Sequence, residues 1–212
     1  DGAHAANARP TTSRILINGE PTESTLAVGT KGAMRAFVRT QGRAAHSAYP
    51  ELGHSATRDL VNLLATLDAV EWPSDPVLGA TTVNIGMLSG GVADNVMAPS
   101  AEARLMLRLV TPVEEVWPIL ERWAAGRAAV ERGVTVPPVR LGTLDGFPTS
   151  VAAFATDIPA LTNWGTPYLF GPGSIHVAHT AHEHVSIKEL AEAVSAYERI
   201  AIGALEREGL GR

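Results

Sequence analysis

Alternating hydrophobic and polar positions predict three half-buried strands, at 34–40, 82–88 and 103–109. In a strand, every second side chain points to the same face of the sheet. The apolar positions are Met34, Ala36 and Val38 in the first segment, Val83, Ile85 and Met87 in the second, and Ala103, Leu105, Leu107 and Leu109 in the third. Residues 133–142, "GVTVPPVRLG", carry the prolines that are typical of an edge strand. Shorter apolar strands are predicted at 15–17 and at 166–171, "TPYLFG".

A different spacing, with apolar residues three or four apart, predicts three helices. The first begins at Ser55 and is stopped by Pro73, with Leu60, Leu63, Leu64 and Leu67 as its apolar positions. The second begins at Thr111–Glu114, which has the pattern of a capping box, and its stripe is Val116, Ile119, Leu120 and Trp123; Pro118 is expected to kink it or to mark its true start.

The third helix follows Ser186 and Glu189, which also form a capping-box pattern, and Gly209 is its expected end. Its predicted apolar face comprises Leu190, Ala193, Val194, Tyr197, Ala201, Ala204 and Leu205. The elements between residues 31 and 142 therefore follow the order β-α-β-β-α-β of a ferredoxin-like sandwich. The predicted fold class is α/β, with a second zone of the chain beginning near Thr143.

Composition narrows the classes of function. The chain has 212 residues, is 45% hydrophobic and has a formal net charge of −5, which argues against a nucleic-acid or anionic-membrane surface. It contains no cysteine, so disulfides and thiolate zinc sites are excluded. No apolar run approaches the roughly 20 residues of a membrane helix. The first methionine is Met34 and the start lacks a signal-peptide layout, so we expect a fragment, a processed product or part of a longer protein.

Four histidines lie close together in "GPGSIHVAHTAHEHV", residues 171–185, and they are His176, His179, His182 and His184. Neutral imidazole is a common zinc ligand, so this loop is a candidate metal site. A solvated polar loop at the end of a strand is the alternative, because one loop rarely supplies a complete metal site. Spacing alone does not decide between them.

Four further residues are candidates on local grounds. Glu20 directly follows a strand and a stiff Glu-Pro turn holds it, which suits a carboxylate that reaches into a cleft. His46 lies on a loop between a strand and a helix and could donate a hydrogen bond to a developing oxyanion. Asn95 and Arg108 lie at opposite ends of a loop-strand segment, and Arg108 could bind a carboxylate bidentately. On local evidence alone, an exposed turn, loop or sheet face is the more common explanation for each.

Taken together, four segments favour a functional role for these residues. "ILINGEPTE", "GRAAHSAYPELG", "GGVADNVMAPSAEARLMLR" and "GTPYLFGPGSIHVAHTAHEHVSIKEL" resemble, in order, motifs of the dinuclear zinc amidohydrolases and exopeptidases. That family includes acetylornithine deacetylase, succinyl-diaminopimelate desuccinylase, aminoacylase and glutamate carboxypeptidases. The resemblance covers nearly the whole chain after about residue 14.

The resemblance implies a role for each matching residue. Glu20 and His179 would each ligate one of two zinc ions, with cobalt or manganese as alternative metals. His46 would reach the active site of a partner subunit and polarise the scissile carbonyl. Asn95 and Arg108 would hold the carboxylate end of the substrate, in a pocket that Gly171 and Gly173 also line. As a departure from the family pattern, Glu183 is flanked by His182 and His184, where the family usually has Asp and Tyr.

The resemblance also implies an architecture and an activity. Residues 1–30 and 143–212 would form the C-terminal part of a zinc-hydrolase domain, and residues 31–142 an inserted lid and dimerisation domain. The parent would be a cytoplasmic homodimer that hydrolyses the amide bond of N-acyl amino acids or small peptides, as a deacetylase, desuccinylase or carboxypeptidase. The family's upstream ligands and its general-base glutamate have no counterpart in this sequence, so we expect this chain alone to be inactive. The alternative is a non-catalytic dimerisation or ligand-binding module.

Overall fold

The computed structural model describes residues 2–210, which form eleven strands and four helices numbered here in chain order. The strands are β1 (Ile15–Asn18), β2 (Leu26–Thr30), β3 (Gly32–Gln41), β4 (Ser74–Asp75), β5 (Gly79–Ala80), β6 (Thr82–Gly90), β7 (Ser100–Leu109), β8 (Ala129–Val136), β9 (Val139–Arg140), β10 (Thr149–Ala152) and β11 (Thr166–Leu169). The helices are α1 (Gly2–Asn7), α2 (Ala56–Leu64), α3 (Val113–Ala124) and α4 (Ile187–Arg207). The chain divides into two compact units, and unit 2 is Gly32–Pro137, whereas unit 1 is the described chain on either side of it.

Unit 2 is a four-stranded antiparallel sheet with the strand order β6-β7-β3-β8. Together with α2 and α3 this gives the chain order β-α-β-β-α-β and the strand arrangement of a ferredoxin-like sandwich, so the predicted α/β class is confirmed. The alternation in β3 and β7 is also confirmed, because Met34 is paired with Leu107 and both are fully buried. One sheet face therefore packs on the helices, and the other, which we call the open face, carries the polar residues of the same strands.

Strand β6 and helix α2 of unit 2 differ from the prediction. The alternation predicted for β6 is wrong beyond Val83. A bulge between Ile85 and Met87 shifts the register and pairs Met87 with Arg104 of the open face, whereas Ile85, although opposite the buried Leu105, is exposed on this edge strand. The first helix ends at Leu64 and does not continue to Pro73. The hydroxyl of Thr66 donates to the carbonyl of Leu63 at 2.7 Å, which offers the backbone an alternative to another helical turn.

The predicted capping box of α3 is wrong. The helix begins at Val113 after Pro112, and no side chain caps it. The hydroxyl of Thr111 is buried and has no hydrogen-bond partner among the described residues. The helix runs through Pro118, so this proline does not mark its start.

Unit 1 contains two small sheets and the long helix α4. Strands β1 and β11 pair in parallel, and β10, β2 and β9 form a three-stranded sheet in that order. Helix α4 begins as predicted, since the side chain of Ser186 accepts a hydrogen bond from the Glu189 amide. None of the described helices is long and apolar enough to cross a membrane.

The predicted apolar face of α4 is partly wrong. Its buried residues are Ala193, Ile200 and Ala204, whereas Val194 is 69% exposed; Leu190 and Leu205 are exposed as well. The hydroxyl of Tyr197 donates to the Phe170 carbonyl at 2.8 Å, and the two rings meet edge to face. These contacts fix the rotation of the helix and turn Ile200 inward.

Candidate functional site

Glu20 and Gly171 lie at one edge of unit 1 because the strands that precede them are parallel partners. Asn18 at the end of β1 is paired with Leu169 at the end of β11. The carboxyl ends of parallel strands are the usual place for a binding crevice. A Cβ atom at position 171 would lie 2.3 Å from the Glu20 carbonyl oxygen, so only glycine permits this approach of the two loops. Two of the predicted site residues are thus brought together.

Thr22 joins these two loops by hydrogen bonds. Its amide donates to the Gly171 carbonyl at 3.1 Å, and its hydroxyl accepts from the Gly171 amide at 3.0 Å. The same hydroxyl donates to the carbonyl of Thr25 at 2.7 Å. Because Thr22 is buried, water competes little for these bonds. The turn after Glu20 is therefore held firmly against the Gly171 loop.

The next two residues adopt backbone conformations that are uncommon outside glycine. Glu23 and Ser24 have φ angles of 54° and 57°. The Glu23 amide donates to the Gly173 carbonyl at 2.9 Å, and the Ser24 amide donates to the Gly171 carbonyl at 3.0 Å. The Glu23 carboxylate also accepts from the hydroxyl of Ser174 at 2.7 Å. These bonds maintain a turn that an isolated chain would rarely adopt, a pattern common near functional sites.

The electrostatic surroundings of Glu20 favour a positively charged neighbour. Partial burial raises the pKa of its carboxyl group, and the negative charge of Asp157 raises it further. Asp157 was not among the predicted site residues; it directly precedes the short turn Ile158–Ala160. A carboxylate with a raised pKa beside a second carboxylate is stabilised when a cation binds.

The histidine loop forms a short 3-10 turn over Ile175–Val177, and all four of its histidines are exposed. His179 alone among them has a left-handed backbone, with φ 62°. Its amide donates to the Glu183 carboxylate at 2.9 Å. His184 instead directs Nδ1 to the carbonyl of His182 at 2.6 Å. The unusual conformation of His179 distinguishes it from its three neighbours.

A metal centre is not completed by the described chain. Within residues 2–210, no three His, Asp or Glu side chains come together in a way that could hold a metal ion. Zinc takes about four ligands. Glu20 and His179 could therefore hold a metal ion only together with further ligands from outside the described residues.

In unit 2, the structure brings His46 and Asn95 together. His46 and Val96 form an isolated antiparallel bridge. The Ser47 amide donates to the Asn95 carbonyl at 2.9 Å, and the Met97 amide donates to the Ala45 carbonyl at 2.8 Å. The His46 loop and the Asn95 loop are thus two sides of one hydrogen-bonded structure.

The hydrogen bonding of His46 defines which ring nitrogen carries the proton. Nδ1 accepts from the Ala48 amide at 3.1 Å and is therefore unprotonated in the neutral ring. The proton lies on Nε2, which makes no hydrogen bond with a described residue and belongs to an exposed side chain. His46 can therefore donate a hydrogen bond through Nε2 to an oxygen outside its own loop.

Arg108 does not lie with these two residues. It is near one end of β7, where it pairs with Thr82 and Ala33, whereas Asn95 precedes Ser100 at the other end. Eight residue steps along a strand correspond to about 26 Å. Within one copy of the chain, Arg108 and Asn95 are too far apart to hold the same small carboxylate.

Comparison with known proteins shows which proteins this chain resembles in sequence. Residues 28–130 match the M20 peptidase dimerisation domain. A probable carboxypeptidase of Paracoccidioides lutzii is 37% identical over 95% of this chain, which covers 51% of that protein. A peptidase M20 domain-containing protein of Schizosaccharomyces pombe is 37% identical over 88% of this chain and 47% of its own length. The chain spans about half the length of the curated relatives it matches.

Solved structures agree on the fold. The aminopeptidase PepT of Bacillus cereus superposes with a TM-score of 0.67 at 20% identity, over 96% of this chain and 61% of that one. A tripeptidase of Staphylococcus aureus superposes with a TM-score of 0.66 at 21% identity, over 92% of this chain and 58% of that one. These two structures, at 20% and 21% identity, support the fold. The sequence matches show that residues 28–130 are a peptidase dimerisation domain of the M20 family and that nearly the whole chain is related to M20 peptidases.

Proposed function

We propose that this chain is part of a metal-dependent peptidase or amidohydrolase that cleaves the amide bond of N-acyl amino acids or small peptides. The observation that carries the proposal is the 37% identity, over nearly the whole chain, to a protein named a probable carboxypeptidase. In this proposal, residues 1–30 and 143–212 belong to the catalytic domain, and residues 31–142 form the lid and dimerisation domain. The cytoplasm remains the expected compartment.

Glu20 and His179 are the proposed metal ligands, and zinc is the proposed metal, with two ions in the complete site. Zinc, when bound, activates a water molecule and polarises the substrate carbonyl. The turn locked by Thr22 holds Glu20 at a fixed distance from the Gly171–Gly173 loop, which is proposed to line the substrate pocket. His179 is held by the bond from its amide to Glu183.

The proposed roles of His46, Asn95 and Arg108 follow from where they lie in unit 2, since Arg108 is far from the other two. His46 donates through Nε2–H to the scissile carbonyl, and Asn95 accompanies it because the two loops are bonded together. Arg108 binds the C-terminal carboxylate of the substrate bidentately. Since about 26 Å separates Arg108 from Ser100 along β7, and Asn95 lies on the loop beyond Ser100, one active site takes Arg108 and Asn95 from two different copies of the chain. A homodimer is therefore part of the proposed mechanism.

The edge strand β6 is the proposed dimer contact. Its outer edge has no partner strand among the described residues. It exposes three large apolar side chains, which are Ile85, Met87 and Leu88. An exposed apolar edge is a surface that pairs readily with another chain.

We expect Leu88→Glu to weaken a dimer of this chain by about tenfold or more, because each two-fold contact would then bury two like charges. Sedimentation equilibrium over a concentration series measures the dissociation constant. The matched control is Val134→Glu, on the opposite edge strand β8, where the side chain is 71% exposed. Dissociation by the control variant, or an unchanged dimer with Leu88→Glu, would contradict the assignment of β6.

The proposed activity is tested on a full-length parent, with this 212-residue chain as the comparison. We expect the zinc-loaded parent to hydrolyse N-acyl amino acids or dipeptides, with turnover on the order of 1–10³ s⁻¹. We expect the chain alone to show none above background, because loss of a general base costs about 10²–10⁴ in rate. Release of the free amino acid measures both. A parent without hydrolase activity would overturn the proposal in favour of a non-catalytic module.

A further inference from the structure

The open face of the unit 2 sheet concentrates positive charge on a chain whose formal net charge is −5. It carries four arginines and two glutamates, since these residues alternate with the buried positions of β3 and β7 or lie on the adjoining edge strand. They are Arg35, Arg39, Arg104, Arg108, Glu102 and Glu131. The two halves of this face differ in how their charges are compensated.

At one end of the face, the arginines are paired. Arg39 bonds Glu102 at 2.7 Å and also Glu131, and Arg104 bonds Glu102 at 2.9 Å. Both guanidinium groups also lie over the ring of Phe37, at 5.2 and 5.6 Å from its centre. The positive charges here are satisfied by neighbours in the sheet.

At the other end, Arg35 and Arg108 are not paired. Neither side chain makes an ion pair or a hydrogen bond with a described residue. Ala33 is opposite Arg108 and Arg35 is opposite Met106, so the two arginines are diagonal neighbours on the same face. Diagonal neighbours on a sheet are about 7–8 Å apart, within the mutual reach of long side chains. Two like charges in this arrangement repel unless an anion lies between or above them.

A β-bulge lies directly beside Arg35. Met34 is paired with Thr135 and Ala36 with Arg132, so both Gly133 and Val134 lie opposite Arg35. A Cβ atom at position 133 would be 3.3 Å from the Cβ of Arg35 and 3.2 Å from its carbonyl oxygen. Bulges re-aim side chains and occur often beside active sites. The glycine and the bulge together leave room for the base of the Arg35 side chain.

We propose that Arg35 and Arg108 together bind a substrate that carries two carboxylates at its C-terminal residue. The inference rests on the proposed function, in which Arg108 receives the α-carboxylate, and it assigns the side-chain carboxylate to Arg35. A guanidinium group matches one carboxylate through two parallel hydrogen bonds, so two unpaired arginines match two carboxylates. Arg35 is thereby a specificity-determining residue that favours an acidic over a neutral C-terminal side chain.

The test uses the whole 212-residue chain and two probes of nearly equal size, N-acetylglutamate and N-acetylglutamine. NMR titration at constant ionic strength gives the dissociation constants, and the shifted amides locate the site. We expect the wild-type chain to bind N-acetylglutamate about tenfold more tightly. Arg35→Gln should abolish that preference. Arg35→Lys keeps the charge but cannot form the two parallel hydrogen bonds of a guanidinium group, so it should reduce the preference. Arg58→Gln, an equal loss of charge on α2, should preserve it.

Two results would overturn the inference, and they separate it from the proposed function. If Arg108→Gln weakens both probes but Arg35→Gln leaves the preference intact, Arg35 has no such role and the role of Arg108 stands. If Arg108→Gln affects neither probe, the proposed carboxylate site itself is wrong. A wild-type chain with no preference between the probes also overturns the inference.

Discussion

Mixing a full-length His46→Ala parent with a full-length Arg108→Ala parent should restore hydrolysis that neither variant has alone. In a mixed dimer, one of the two active sites receives the intact His46 from one subunit and the intact Arg108 from the other. At a 1:1 ratio about half of the dimers are mixed and each has one complete site, so activity should recover to about a quarter of the wild-type value. His46→Ala should lose on the order of 10²-fold or more, since a donor to the oxyanion is worth about that much. Arg108→Ala should also lose activity, because it can no longer bind the substrate carboxylate.

The structure supplies a control pair that should fail. Asn95 is bonded to the His46 loop through the Ser47 amide, at 2.9 Å, so both residues reach the active site from the same subunit. In a mixed dimer of His46→Ala and Asn95→Ala, each site lacks one of the two, and activity should stay at background. A third mixture, His46→Ala with His179→Ala, should recover like the first.

Subunits carrying two different affinity tags allow the mixed dimers to be purified before the assay, and these should show about half of the wild-type activity per dimer. Release of the free amino acid measures the activity. Recovery in the His46 and Asn95 mixture, together with none in the His46 and Arg108 mixture, would place Arg108 beside His46 and contradict the division between subunits. An inactive mixed dimer in all three cases would argue against any role of His46 in the partner's site.

The topology of unit 2 could be predicted because its signals are local and agree with the tertiary packing. Alternation in β3 and β7 matches the buried face of the sheet residue by residue. The predictions that failed depended on distant partners. Strand β6 has a bulge that no local pattern reveals, and the rotation of α4 is set by the contact of Tyr197 with Phe170, 27 residues away.

The candidate site shows the same difference between local signals and contacts of distant segments. Glu20, His46 and His179 could be singled out from motifs, because each lies in a short recognisable segment. Their support could not, since Thr22 bonds Gly171 across 149 residues and the His46 loop meets the Asn95 loop through a bridge between distant segments. Asp157, whose charge raises the pKa of Glu20, precedes a short turn with no distinguishing pattern around it. The distance between Arg108 and Asn95 became apparent only from the strand register.

Replacing His179 or Glu20 with alanine in a full-length parent should remove most of the bound zinc and most of the activity. Substitution of residues that merely support a metal ligand costs about 10–100-fold in metal affinity or activity, and loss of a direct ligand should cost more. His176→Ala and His182→Ala should change both quantities little, because these histidines lack the left-handed conformation and the Glu183 bond of His179. Zinc per chain, measured by mass spectrometry after dialysis at a fixed free zinc concentration, tests the four variants.

A glycine variant separates the backbone of His179 from its ring. Glycine adopts a φ of 62° without strain, so His179→Gly should keep the loop conformation while removing the ligand. Added imidazole should then restore part of the bound zinc in His179→Gly and none in Glu20→Ala, where the missing ligand is a carboxylate. Equal loss of zinc in His176→Ala and His179→Ala would contradict the assignment within the loop. Full retention of zinc in His179→Gly without imidazole would show that the ring is not a ligand and that the loop acts only through its shape.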